Sequence, residues 1–199
     1  MGDTEIHISQ WDSEAEDKIP IDYFVTRQKK NKGGSVTVSK RNLRFVDASG
    51  NLAFTTSSGP VKTTRLLLDA SANQLFSLRR INSKSWQGFM RDANGVEELI
   101  FRSQKIQDTF NKTEFDVFLV NEDCEQSSPD LKIKGHPFHR ACTIYKGNSI
   151  VAQTNLMYKL WDAYVPRNKF RLTVFPGLVN RALVVALIVI FFDGRKIWL

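Results

Sequence analysis

Eleven consecutive apolar residues, Ala182-Leu183-Val184-Val185-Ala186-Leu187-Ile188-Val189-Ile190-Phe191-Phe192, run without a break between Arg181 and Asp193. Valine and isoleucine suit a strand, but the run is longer than strands usually are. Asn180 before it and Gly194 after it supply an N-cap and a C-terminal glycine, so the spacing predicts a helix over about residues 181–193. A helix that is apolar on every face has to be buried all round. A membrane span needs about 20 such residues, so the run is expected to be a core helix and not a transmembrane segment.

The chain before it is patterned differently. Leu43-Arg44-Phe45-Val46 leads through Asp47-Ala48-Ser49-Gly50-Asn51 to Leu52-Ala53-Phe54, and aspartate first with glycine fourth suits a type I turn whose glycine is left-handed. The unit recurs at Asp69-Ala70-Ser71-Ala72-Asn73 and at Asp92-Ala93-Asn94-Gly95, although Ala72 stands where the glycine belongs and weakens the second signal. A spacing of about 22 residues fits a hairpin plus its connection, which points to an antiparallel meander, whereas a WD-type propeller repeat is about twice as long. Further strands are expected at Phe115–Val120, Leu131–Lys134, Cys142–Tyr145, Ile150–Gln153 and Phe170–Phe175, with a hairpin turn at Lys146-Gly147-Asn148-Ser149. About ten to twelve strands in one chain need closure, as a barrel or a sandwich, to hide their edges.

Of the 199 residues 42% are hydrophobic and 25% charged, enough apolar material for a real core. Two cysteines make a poor disulfide framework and no leader pattern opens the chain, so the expected compartment is the cytosol or the nucleus. Ile6 occupies the position where a myristoylation motif wants Ser or Thr, which argues against a lipid anchor. Residues 1–22 hold seven acids against Lys18 alone, so the remainder is more basic than the net charge of +7 suggests. Residues 1–18 are read as a flexible acidic tail and 19–199 as the folded domain. A basic field of this kind attracts nucleic acid, anionic lipid headgroups or acidic proteins, or serves only solubility.

In order and spacing, the segments Leu43–Phe54, Leu67-Leu68-Asp69, Leu75–Arg79, Phe115–Leu119, Lys132–Gly135, Ile150–Gln153 and Phe170–Pro176 resemble the LURP-one-related family of plant proteins. That family belongs to the tubby C-terminal-like superfamily, which also includes phospholipid scramblases. The resemblance runs from about Pro20 to Asp193. It implies an all-β fold, a closed antiparallel barrel of about twelve strands threaded by the C-terminal helix. It also implies a non-enzymatic binding module: tubby-like relatives are thought to bind phosphoinositides and tether to membranes, and the named plant member is linked to pathogen defence. The chain departs from the pattern in the basic insert Lys29 to Lys40 and at Ala72, and no lipid-binding residue of the relatives has a local motif to match here.

Catalytic signatures are missing: no phosphate-cradling glycine loop, no G-x-S-x-G elbow and no H-E-x-x-H. His136-Pro137-Phe138-His139 could clip a metal, but Pro137 disfavours a helix and only Cys142 is near enough in sequence to add a ligand, so neither a metal nor a cofactor is expected. Cys124 lies among acids that raise a thiol pKa, which argues against an activated nucleophile. The remaining candidates are basic. Seven cations and no acid fall between residues 23 and 46, and Lys29, Lys30 and Lys32 are read as an exposed loop meeting an anionic membrane or serving nuclear import. If Phe170, Leu172 and Val174 point inward, Arg167, Lys169 and Arg171 lie outside, and Lys132 and Lys134 likewise oppose Leu131 and Ile133. A merely solvated outer face is the competing reading.

The expected function is binding of an anionic phospholipid or phosphoinositide by a monomer, cytoplasmic or peripheral at the plasma membrane. The alternatives are a nuclear factor binding nucleic acid or protein, and a scramblase-like membrane protein. The strand aromatics Phe45, Phe54 and Phe170 alternate with basic residues as core positions do, which favours lipid over base stacking.

Overall fold

The computed structural model describes residues 19–32, 35–92, 95–109, 112–120, 128–157, 169–177 and 179–193, with the backbone alone for 28–32, 35–41 and 138. The expected tail at 1–18, Cys124, Arg167 and Gly194 lie outside the described residues. Twelve strands follow in order: β1 (Ile21–Lys32), β2 (Ser35–Val46), β3 (Leu52–Ser58), β4 (Thr64–Asp69), β5 (Gln74–Arg80), β6 (Ser85–Arg91), β7 (Glu97–Asp108), β8 (Thr113–Leu119), β9 (Leu131–His136), β10 (Ala141–Lys146), β11 (Ser149–Leu156) and β12 (Lys169–Val174). Each pairs antiparallel with its sequence neighbours, and β1 pairs with β12 from Ile21↔Val174 to Thr26↔Lys169 to close a barrel. No described strand is left as an open edge.

The three aspartate turns share one geometry. In each, the backbone N–H four residues on donates to the aspartate Oδ1, from Asn51 to Asp47 at 2.8 Å, from Asn73 to Asp69 at 2.8 Å and from Val96 to Asp92 at 2.7 Å. The fourth residue is left-handed, with φ of 85° at Gly50, 67° at Ala72 and 82° at Gly95. The turn forms at Ala72 despite the missing glycine, held by the shared N–H bond and by the Asn73 side-chain amide, which donates to Asp69 Oδ2 at 2.9 Å as that of Asn51 does to Asp47 at 3.3 Å.

Helix α1 (Arg181–Asp193) runs through the barrel, and Leu183 to Phe192 are all buried. Asn180 Oδ1 accepts from the Ala182 N–H at 2.8 Å and caps its start. The barrel lining that meets it is apolar, with Val25, Phe45, Leu67, Phe76, Phe101, Ile133 and Leu172 fully buried. Phe192 packs on Phe170 with centroids 4.9 Å apart and Phe191 on Phe115 at 6.2 Å. At its far end the buried Arg65 donates to Asp193 Oδ1 at 3.1 Å and to Ser58 Oγ at 3.0 Å, and the Arg140 guanidinium lies 5.2 Å from the Phe192 ring centroid. Cations here face the negative end of the helix dipole. No described helix is long and apolar enough to cross a membrane.

The insert at Lys29 to Lys40 corrects one expectation. It is not a loop: β1 and β2 continue pairing through Lys29↔Val38, Lys30↔Thr37 and Lys32↔Ser35, past the last pair that β1 makes with β12. Two strands satisfy each other's backbone N–H and C=O groups whether or not their side chains reach a core, so charge alone does not make a loop. β1 itself goes unread in the sequence, although Tyr23 and Val25 point inward with strand periodicity.

Candidate functional site

Along β9 the burial alternates, with Leu131 and Ile133 inside and Lys132 and Lys134 exposed. Along β12 Phe170, Leu172 and Val174 are inside and Lys169 and Arg171 exposed. Both stripes therefore sit on the outer wall, as their alternation predicts, but β10 and β11 separate them. At about 4.8 Å per strand the stripes stand roughly 14 Å apart.

The strands between them carry small and amide side chains outward. One cross-strand row runs Lys134, Thr143, Gln153, Thr173, and a second brings Ala141 beside His136 and Asn155 beside Arg171. Over Ala141 and Thr143 the wall sinks into a depression of about 250 Å³, bordered by Lys112, Lys134 and His136 on one side and Gln153 and Asn155 on the other. Behind it β9 and β10 approach closely at Gly135, which stands opposite Cys142 and admits no side chain, since a Cβ would come within 2.3 Å of the Ala141 carbonyl oxygen and 2.5 Å of the Cys142 Cα. Beneath the floor Thr154 Oγ1 accepts from the Cys142 N–H and donates to the Arg140 carbonyl, both at 2.9 Å. Burial pushes the Cys142 thiol up to about 12, only partly offset by the Thr154 hydroxyl, so it faces the core as an inert side chain and not a ligand or nucleophile.

The cations of this wall are partly engaged. Lys112 Nζ lies 2.6 Å from Glu114 Oε1, and Glu114 and Asp116 on β8 stand opposite Lys134 and Lys132. The Lys112 hydrogen bond, with the charges of Lys112, Lys134 and Lys132 behind it, holds the Glu114 carboxyl below its ordinary range against the opposing effect of burial. Arg171 reaches Asp22 at 3.7 Å. Five cations thus face three carboxylates, with Lys169 outside any of these pairs. An arriving anion would meet hydrogen-bond donors already arrayed and would compete with Glu114 for Lys112 and Lys134.

Lys132, Lys134, Lys169 and Arg171 thus share one wall, Lys29, Lys30 and Lys32 lie on the β1–β2 hairpin, and Arg167 is outside the described residues. Sequence reasoning weighs His136 only as a metal clip and misses Lys112, Gln153 and Asn155, which join it only through strand register. It also misses a larger cleft of about 490 Å³ on the opposite side, where Arg79 pairs with Glu97, stacks 4.3 Å over Phe89, and has Arg91 and Arg80 beside it. Alternation along Gln74–Arg80 would have placed Arg79 outward. The rings of His136 and His139 meet edge-on at 6.2 Å, and no group of three or more His, Cys, Asp or Glu side chains among the described residues could hold a metal.

Along β9 and β12 the outward positions are charged or polar and the inward ones apolar. A sequence model described as LURP-one-related matches residues 24–193. The chain belongs to the LURP-one-related family. It is 42% identical over 179 residues to Protein LURP-one-related 7 of Arabidopsis thaliana, covering 89% of this chain and 91% of that protein. LURP-one-related 15 of the same plant is 29% identical over 89% of this chain and 81% of its own length. An X-ray structure of an Arabidopsis thaliana protein superposes with a TM-score of 0.59 at 28% identity, covering 88% of this LURP-one-related chain and 91% of the other.

Proposed function

We propose that this LURP-one-related barrel acts by binding an anionic phospholipid, a phosphoinositide above all, through the outer wall of β9 to β12, and so works as a regulator held at the cytoplasmic face of a membrane. The observation that carries the reading is the depression between Lys134 and Asn155, where lysine, imidazole and amide donors converge over a floor of small side chains at Ala141 and Thr143. Multiple donors around a small concavity suit a phosphate better than a flat basic stripe does, because several N–H groups can reach one set of oxygens.

The residues offer donors and no activated nucleophile, so the chemistry is recognition. A sedimentation assay with neutral, phosphatidylserine and phosphoinositide vesicles at two salt concentrations tests it. Binding should favour phosphoinositide over phosphatidylserine at equal charge and weaken with salt, since exposed charges are screened over about 8 to 10 Å. Equal binding to both would mean a charged surface without a formed site. No binding at low salt would sink the lipid reading in favour of a protein or nucleic-acid partner.

A further inference from the structure

Because every strand is antiparallel to its neighbours, the connections sort into two rims of opposite net charge. The described connections at one end, residues 59–63, 81–84, 109, 112, 137–140 and 157, contain Lys62, Lys84, Lys112 and the buried Arg140 and no acid, and the acids at the adjoining element ends are paired, Asp108 with Lys105, Glu114 with Lys112 and Asp193 with Arg65. Those at the other end contain Asp47, Asp92 and Asp130 and no cation, with Asp22, Asp69 and Glu97 against Arg91, Lys146 and Arg181 at the adjoining element ends. The barrel therefore has a net basic rim and a net acidic rim.

The basic rim also displays aliphatic side chains. Val61 is 58% exposed, Ile81 57% and Ile106 54%. They sit on neighbouring elements tied together by backbone hydrogen bonds, Arg80 N–H to the Thr63 carbonyl at 2.9 Å and Lys105 N–H to the Lys84 carbonyl at 2.7 Å. Ile106 falls where the β7–β8 register shifts between Lys105 and Gln107, so a bulge turns it out of the ladder. Ile19, Val96, Val120 and Ile150 are exposed at the acidic rim, but its net charge, with Asp92, Glu97 and Asp130 beside Val96 and Val120, would repel an anionic surface.

We infer that the basic rim is a membrane-docking edge: Val61, Ile81 and Ile106 insert among the acyl chains just below the headgroups while Lys62, Lys84 and Lys112 take the anionic headgroups. The acidic rim points away, so the charge separation orients the barrel on the surface as well as holding it there. The inference rests on the proposed lipid function and assigns its geometry. Lys112 belongs to both the rim and the wall depression, so a headgroup in the depression lies beside the inserted edge.

The test compares the full chain with the triple variant Val61→Ser, Ile81→Ser, Ile106→Ser, which removes apolar surface without changing charge, and with Lys134→Glu/Arg171→Glu on the wall. All three serine sites are more than half exposed, so the melting temperature should hold. Should the triple variant melt lower, Val61→Ser and Ile81→Ser are measured singly at about threefold each. On phosphatidylserine vesicles the triple variant should bind at least about tenfold more weakly, and salt should abolish its residual binding while wild type keeps a salt-resistant fraction. A triple variant that binds like wild type while the wall variant fails would overturn the rim inference and leave the wall reading standing. Wild type that ignores the vesicles altogether would overturn both.

Discussion

Single residues decide where this barrel can turn and what it can tolerate. Ala72 holds φ of 67° in a turn whose two counterparts have glycine there. A non-glycine residue in the left-handed region costs about 1–2 kcal/mol, glycine's unfolded-state entropy offsets about 0.4–1 kcal/mol of that, and Ala72→Gly should therefore stabilise the protein by about 0.5–1 kcal/mol. A thermal melt should show a rise of about 1–4 °C, and a fall would mean the turn is not under strain. Glu114 gives a prediction of opposite kind. Its carboxyl titrates below its unfolded value because Lys112, Lys134 and Lys132 favour the anion, so its stabilisation is present above about pH 4.3 and is lost as pH falls through the lower folded value. Melting temperature should therefore drop between about pH 4.5 and 3 by less in Glu114→Gln than in wild type. Equal acid sensitivity would show that the cluster does not bear on stability. Neither residue stands out in the sequence: Ala72 reads as a defect in a motif, and Glu114 becomes special only when register sets it against β9.

The elements were legible to different degrees for physical reasons. The helix could be read from its flanks, because a run with no polar face leaves burial as the one solution and Asn180 marks its start. β3 to β12 could be read because inward and outward positions alternate between turns of recognisable chemistry. β1 and the first half of β2 could not, since seven cations in residues 23–46 mask a hairpin whose backbone pairing does not depend on apolar side chains. The helix is also where the fold is most exposed to damage. Leu187 is fully buried in the lumen, and Leu187→Ala should cost about 2–5 kcal/mol through the cavity it leaves. Val185→Asp places an unpaired carboxylate in the same core and should abolish folding to soluble protein. Wild-type-like melting of either variant in circular dichroism would contradict the packing described here.

At the scale of the whole molecule, the closed barrel could be expected from strand number and family resemblance, but the candidate site could not. Its members come from β9, β10, β11 and the β7–β8 connection, and only ring closure and register bring Lys112, Lys134, His136, Gln153 and Asn155 around one depression. The alternation rule correctly put Lys132, Lys134, Lys169 and Arg171 outside, yet it could not show that β8 sets carboxylates against two of them. The central claim is that this depression receives a phosphorylated headgroup. The most direct measurement is an NMR titration of the full chain with a soluble inositol phosphate, following backbone amides. Saturable shifts are expected at residues 134–136, 141–143 and 153–155, and they should be lost in Lys134→Glu. Shifts confined to other strands, or none at millimolar ligand, would contradict it.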